Sequence, residues 1–147
     1  MILSPTTPFK LSKVSHTTLV FSLLTLFTLF CDFAVAESRL ALVIGNASYE
    51  KSPLSNSLND AEDMSDVLKQ VGFKVTLLKN ATQTEMESAI QTFGQQLGSG
   101  GVGLFYFAGH GVQYQGDNYL FPTEAIRTVT APGHLRLKTV NVDYVLS

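Results

Sequence analysis

The chain has one cysteine, Cys31, among its 147 residues. An apolar run without charge, Leu19 to Phe30, follows Lys10 and Lys13, and Ala34-Val35-Ala36 supplies a small-x-small cleavage site. That order predicts a secretory signal over residues 1–36, cut after Ala36. Its apolar core is about a dozen residues, short of the roughly 20 that cross a bilayer. An uncleaved anchor is the alternative, and membrane association would then run through that segment alone. Phe30-Cys31 is a poor lipoprotein site, because a bulky residue stands where a small one belongs. Cleavage leaves residues 37–147 without any thiol, which excludes a disulfide framework and a thiolate metal site. The expected location is exported, periplasmic or extracellular.

A strong excess of either charge is also missing. The whole chain carries 10 basic and 12 acidic residues. With Lys10, Lys13 and Asp32 in the signal segment, residues 37–147 hold 8 basic and 11 acidic residues, a net −3. Nothing here favours nucleic acid or an acidic membrane surface. No serine stands in a nucleophile-elbow pattern. His134 is too isolated in the sequence to imply a metal pair, and is expected in a solvated loop. Gly98-Ser-Gly-Gly-Val-Gly103 fits the G-x-G-x-x-G spacing of dinucleotide sites, but that fingerprint must follow a strand and open a helix. Here it follows a helical pattern and opens a strand. No cofactor or metal is implied. Asn46-Ala-Ser48 and Asn80-Ala-Thr82 are glycosylation sequons that matter only on a eukaryotic secretory route.

What is present is an alternation of periods. Arg39 to Asn46 is a continuous apolar run ending in Gly-Asn, a buried parallel strand entering a turn. From Asn59 the spacing becomes helical. Ala61, Met64, Val67, Leu68 and Val71 form an apolar face, Asn59 or Asp60 serves as cap, and Gly72 is the stop. Phe73 to Leu78 reads as a second strand. Thr82-Gln-Thr-Glu85 is a capping box opening a helix whose stripe is Met86, Ala89, Ile90, Phe93 and Leu97. Gly103 to Ala108 reads as a third strand, buried on both faces. Gly116-Asp117 marks a hairpin turn between Val112 and Leu120, Pro122 ends that element, the stretch to Leu137 is irregular, and a helix begins near Asn141. The resulting class is α/β: a mostly parallel sheet with right-handed crossovers and helices on opposite faces, its ligand site at the carboxyl ends of the strands.

At one such end stands Gly109-His110-Gly111. Glycines on both sides allow a sharp turn and close approach to a substrate, and imidazole is the side chain that titrates near neutrality. The Gly111 N–H is unobstructed and suits an oxyanion hole.

These motifs resemble the caspase-like cysteine peptidases, nearest the bacterial metacaspase-type branch. The likeness is carried by Leu40-Ala-Leu-Val-Ile-Gly-Asn46, Asn59-Asp60-Ala61, Gly72-Phe-Lys-Val75, Tyr106-Phe-Ala-Gly-His-Gly-Val-Gln113 and Asp117-Asn-Tyr-Leu-Phe-Pro122. The resemblance implies a three-layer caspase-like fold over residues 37–147, incomplete at its C-terminal end. It implies that His110 is the dyad histidine and that Gly111 contributes to the oxyanion hole. It also implies that Asp60 holds an Arg or Lys before the scissile bond of a peptide or protein substrate. A plain helix cap is the other reading of Asp60. In caspase-type sequences the cysteine follows the histidine by about 50 residues, so a fourth strand bearing it is expected beyond Ser147. On this reading the chain is a peptidase domain ending before its nucleophile and inactive as it stands, with the third strand left as an apolar edge. The alternative is a non-catalytic caspase-like module that binds partner proteins.

Overall fold

The computed structural model describes residues 37–98, 100–125, 129 and 131–146. The expected signal segment, residues 1–36 with Cys31, and Ser99 lie outside the described residues.

Three strands, β1 (Arg39–Gly45), β2 (Lys74–Lys79) and β3 (Val102–Ala108), form a parallel sheet in the order β2-β1-β3. β1 is central and accordingly the most buried of the three. Leu42, Val43 and Ile44 are wholly buried, and full burial of such side chains stabilises by about 1.5–3 kcal/mol each. Alternate residues feed two cores. Leu42 and Ile44 pack with Met86 and Ile90 of helix α2 (Gln83–Leu97), whereas Ala41 and Val43 pack with Ala61 and Leu68 of helix α1 (Ser57–Gln70). The helices therefore cover opposite faces, as the sequence pattern requires.

α1 begins earlier than the periodicity suggests. Its N-cap is Asn56, which makes no side-chain cap bond, and the Asp60 amide already donates to the Asn56 carbonyl at 2.9 Å. Asn59 and Asp60 are thus within the helix, and the cap reading of Asp60 is withdrawn. The cause is packing: a Cβ on Gly45 would lie 2.8 Å from the Ser57 carbonyl and 2.6 Å from Ala61 Cβ. Bare backbone there lets the first turn of α1 rest on β1. The buried stripe is Ser57, Ala61, Ser65 and Leu68, and the first three are small residues that permit this approach. Val67 and Val71 are instead 54% and 51% exposed, so their place in the predicted apolar face is corrected.

The helix ends as expected. Gly72 has φ +88°, Phe73 N–H donates to Leu68 O at 2.9 Å, and Gly72 N–H donates to Lys69 O at 3.1 Å, the two bonds of a Schellman motif. The capping box of α2 is also present. Thr82 Oγ1 accepts from the Glu85 amide, and the Glu85 carboxylate accepts from the Thr82 amide at 2.9 Å.

β3 differs from its expected burial on both faces. It pairs with β1 alone among the described residues, and its side chains are half-buried or exposed. A second, antiparallel sheet follows, with order β4-β5-β6: β4 (Gly111–Tyr114), β5 (Asp117–Leu120) and β6 (Val140–Asn141). The β4–β5 turn is centred on Gln115 and Gly116, both at positive φ (+53° and +94°), as a two-residue type I′ turn demands. The predicted turn was one residue too late. The stretch before Leu137, expected to be irregular, contains helix α3 (Pro132–Lys138), with proline in its first turn where a missing N–H costs nothing. His134 is on that helix rather than in a loop. α4 (Asp143–Leu146) supplies the expected last helical turn.

Candidate functional site

The carboxyl ends of the three parallel strands are tied together by two asparagines. Asn46 directly follows β1 and is fully buried. Its amide N–H donates to Ala108 O at 2.8 Å, linking it to the end of β3. Its side chain accepts from Ala81 N–H at 2.8 Å and donates to Ala81 O at 3.3 Å and Phe121 O at 3.2 Å. The sequon at Asn46 is therefore closed to a glycan in the folded chain. Asn80 follows β2 at φ +53°, a conformation that asparagine tolerates better than most residues. Its Oδ1 accepts from the amides of Ala47 and Ser48, both at 2.9 Å. These bonds fix the start of the loop between β1 and α1.

That loop carries the two groups that hold His110. Ser52 O lies 2.8 Å from His110 Nε2. A carbonyl can only accept, so the neutral ring must carry its proton on Nε2. Nδ1 is left with a free lone pair, since the ring makes no other bond among the described residues. Tyr49 packs its ring edge-on against the imidazole, 4.5 Å between centroids and 60° between planes. Its hydroxyl accepts from the His110 amide at 3.0 Å and donates to Phe121 O at 2.9 Å. Burial raises the Tyr49 pKa above its ordinary value, partly opposed by hydrogen bonds from the His110 amide and Asn46. The hydroxyl thus remains a donor at neutral pH.

The flanking glycines act differently from the sequence expectation. Neither Gly109 nor Gly111 has positive φ. Gly109 is needed for space, because a Cβ there would sit 2.6 Å from the Tyr49 hydroxyl. Gly111 opens β4 opposite Leu120. Phe121 N–H donates to His110 O at 2.9 Å, so the ladder's alternation turns the Gly111 N–H away from β5 toward the free edge of β4. An exposed, outward N–H next to the histidine is what an oxyanion donor requires.

Asp60 is exposed in the first turn of α1, where a carboxylate is favoured by the helix dipole. With Asp63, Met64, Val67 and Tyr106 it lines a shallow crevice of about 270 Å³ between α1 and β3. It makes none of the bonds around His110, so the structure brings His110 and Gly111 together, while Asp60 stands on another element and in a crevice that neither of them lines. The sequence reading missed Tyr49 and Ser52. A large aromatic in an otherwise polar loop was the available signal for Tyr49. A backbone carbonyl carries no signal of its own. Among the described residues, no group of three or more His, Cys, Asp or Glu residues could hold a metal ion.

Comparison with known proteins agrees with this fold. A family model described as the caspase domain matches residues 38–143. The chain is 37% identical over 95 residues to the Homo sapiens mucosa-associated lymphoid tissue lymphoma translocation protein 1, covering 64% of this chain and 12% of that protein. It is 38% identical over 92 residues to the Mus musculus homolog of that protein, covering 62% and 11% respectively. The matched region is thus a small part of either relative.

Proposed function

The chain belongs to the caspase-domain family, and from that premise we propose that it supplies the histidine side of a cysteine-type endopeptidase site. The observation that carries this reading is the His110 ring, held by Ser52 O through Nε2 with Nδ1 free, next to an outward Gly111 N–H. In this role Nδ1 takes the proton of a cysteine thiol and later returns it to the leaving amine. Gly111 N–H donates to the oxyanion that forms when the sulfur attacks the peptide carbonyl.

Within the same proposal, Asp60 binds a basic residue before the scissile bond, as in the metacaspase-type branch. Its exposure beside Asp63 in an open crevice supports charge-assisted binding of Arg or Lys. Residues 1–36 act as an export signal, so N-terminal sequencing of exported protein should begin at Glu37. A start at Met1 would contradict that.

Residues 37–147 contain no cysteine, so the thiol must come from outside them. That fact also keeps a second reading in view, a caspase-like module that binds partner proteins without cleaving them. The test is to append a cysteine-bearing strand from a caspase-domain relative and assay Arg- and Lys-containing peptides. Cleavage should appear, and His110→Ala should reduce it by about 10²- to 10⁴-fold. Full activity in His110→Ala would refute the assignment. A folded, partner-binding but inert extended chain would favour the module.

A further inference from the structure

The hydrogen-bonded pairs of an antiparallel ladder normally exchange two bonds, each residue donating to the other. His110 and Phe121 form the pair that continues the β4–β5 ladder beyond Gly111 and Leu120, yet they exchange only one directly. Phe121 N–H reaches His110 O at 2.9 Å. In the reverse direction a phenol stands between them: His110 N–H donates to Tyr49 Oη at 3.0 Å, and that hydroxyl donates to Phe121 O at 2.9 Å. The direction of each bond is forced, because an amide can only donate and a carbonyl can only accept.

We propose that Tyr49 is a positioning residue whose hydroxyl, spliced into this ladder, sets the backbone of the Gly109-His110-Gly111 turn and thereby the place of the His110 ring. The proposal rests on His110 being the acid–base group.

Three further observations converge on the same oxygen. Tyr49 is only 1% exposed, so its hydroxyl is sheltered from competing water. Gly109 has no side chain where a Cβ would collide with that hydroxyl at 2.6 Å, so the first glycine of the turn makes room for the splice. The edge of the tyrosine ring meets the imidazole itself, so one residue touches both the backbone and the side chain of His110. A tyrosine that only filled space would need its ring and not this oxygen.

Removing the oxygen leaves two outcomes, and both release the His110 backbone from its present restraint. Either the ladder closes directly and draws His110 toward Phe121, or the His110 amide is left without its partner. In each case the imidazole loses its alignment with Ser52 O, and the Nε2–H tautomer is no longer enforced.

The test uses the full chain labelled with ¹³C and ¹⁵N. In the wild type, the Tyr49 hydroxyl proton should show cross-relaxation with the His110 amide proton, and absence of that cross-peak overturns the proposal whether or not any variant folds. In Tyr49→Phe, the His110 amide signal should shift, and its ring nitrogens should change from one tautomer to an averaged pair. An unchanged amide shift with an unchanged ring pattern in a folded Tyr49→Phe chain overturns it as well. The underlying acid–base reading fails separately. If His110→Ala leaves cleavage by the cysteine-extended chain intact while the cross-peak is present, the splice stands and the catalytic reading falls.

Discussion

The two sheets of this molecule are built on opposite terms. The parallel sheet is centred on a strand whose last six residues are buried, with Leu42 and Ile44 in one helix-covered core and Ala41 and Val43 in the other. In the antiparallel sheet, all four residues of β4 are exposed, and the strand is held by a tight turn and its ladder. His110 occupies the junction between them. One sheet supplies immobility, through Asn46, Asn80 and the loop bearing Tyr49 and Ser52. The other supplies access, through the outward N–H of Gly111. A histidine buried in the first sheet would not reach a substrate, and one on the hairpin tip would have nothing to orient its ring.

This contrast can be broken most severely from the β1 side. Ile44→Ala should cost about 2–5 kcal/mol, the range for emptying a packed core position. Val112→Ala in exposed β4 should stay within about 0.5 kcal/mol. Chemical denaturation of both variants measures the difference, and equal losses would show that the hairpin carries core stability.

Gly45→Ala should destabilise by about 1–3 kcal/mol through overpacking. The new methyl meets the Ser57 carbonyl at 2.8 Å, a backbone atom that cannot swing aside. The same denaturation experiment tests it, and a neutral result would mean that α1 can shift its first turn. Asn46→Ala leaves the buried Ala81 N–H without its acceptor, and such an orphaned group costs about 1–3 kcal/mol.

On the hairpin side the expected effect is smaller and of opposite sign. Gln115 adopts φ +53° in the type I′ turn, where asparagine is preferred. Gln115→Asn should stabilise by about 0.5–1 kcal/mol, visible as a higher denaturation midpoint with an unchanged slope.

The smallest effect concerns acid. Hydrogen bonds from the Thr82 backbone and side chain hold the Glu85 carboxyl below its ordinary range. The unfolded chain therefore takes up the proton first as pH falls. The capping contribution is complete above the ordinary glutamate pKa of about 4.3 and is lost as pH drops through that value and past the depressed folded one. Glu85→Gln should lower the thermal midpoint slightly at pH 7, and the gap from wild type should close in that acid window. A gap that widened on acidification would contradict the capping role.

The same contrast explains what could be read from the sequence. β1, β2 and α2 were legible because a long apolar run, a capping box and a helical stripe each serve one local structure. The Gly-His-Gly turn was legible as a candidate site because an apolar strand ends on it. The start of α1 was not, because Gly45 permits a tertiary approach that pulls the helix back to Ser57. Val67 and Val71 misled because helical spacing defines a face only to within about one position, and the small residues Ser57, Ala61 and Ser65 took the sheet side. Helix α3 was hidden by Pro132 and Gly133, residues that mark loops as readily as first turns. The grip on His110 was hidden for another reason: it is made by the Ser52 carbonyl and by the Tyr49 hydroxyl, which lie 58 and 61 residues away along the chain.

The central claim is that this junction holds His110 with Nε2 engaged and Nδ1 free to accept a proton. Long-range ¹H–¹⁵N correlation of the His110 ring in the full chain tests it directly. At a pH where the ring is neutral, the account predicts a protonated Nε2 and a pyridine-like Nδ1. A proton on Nδ1, with Nε2 bare, would contradict it.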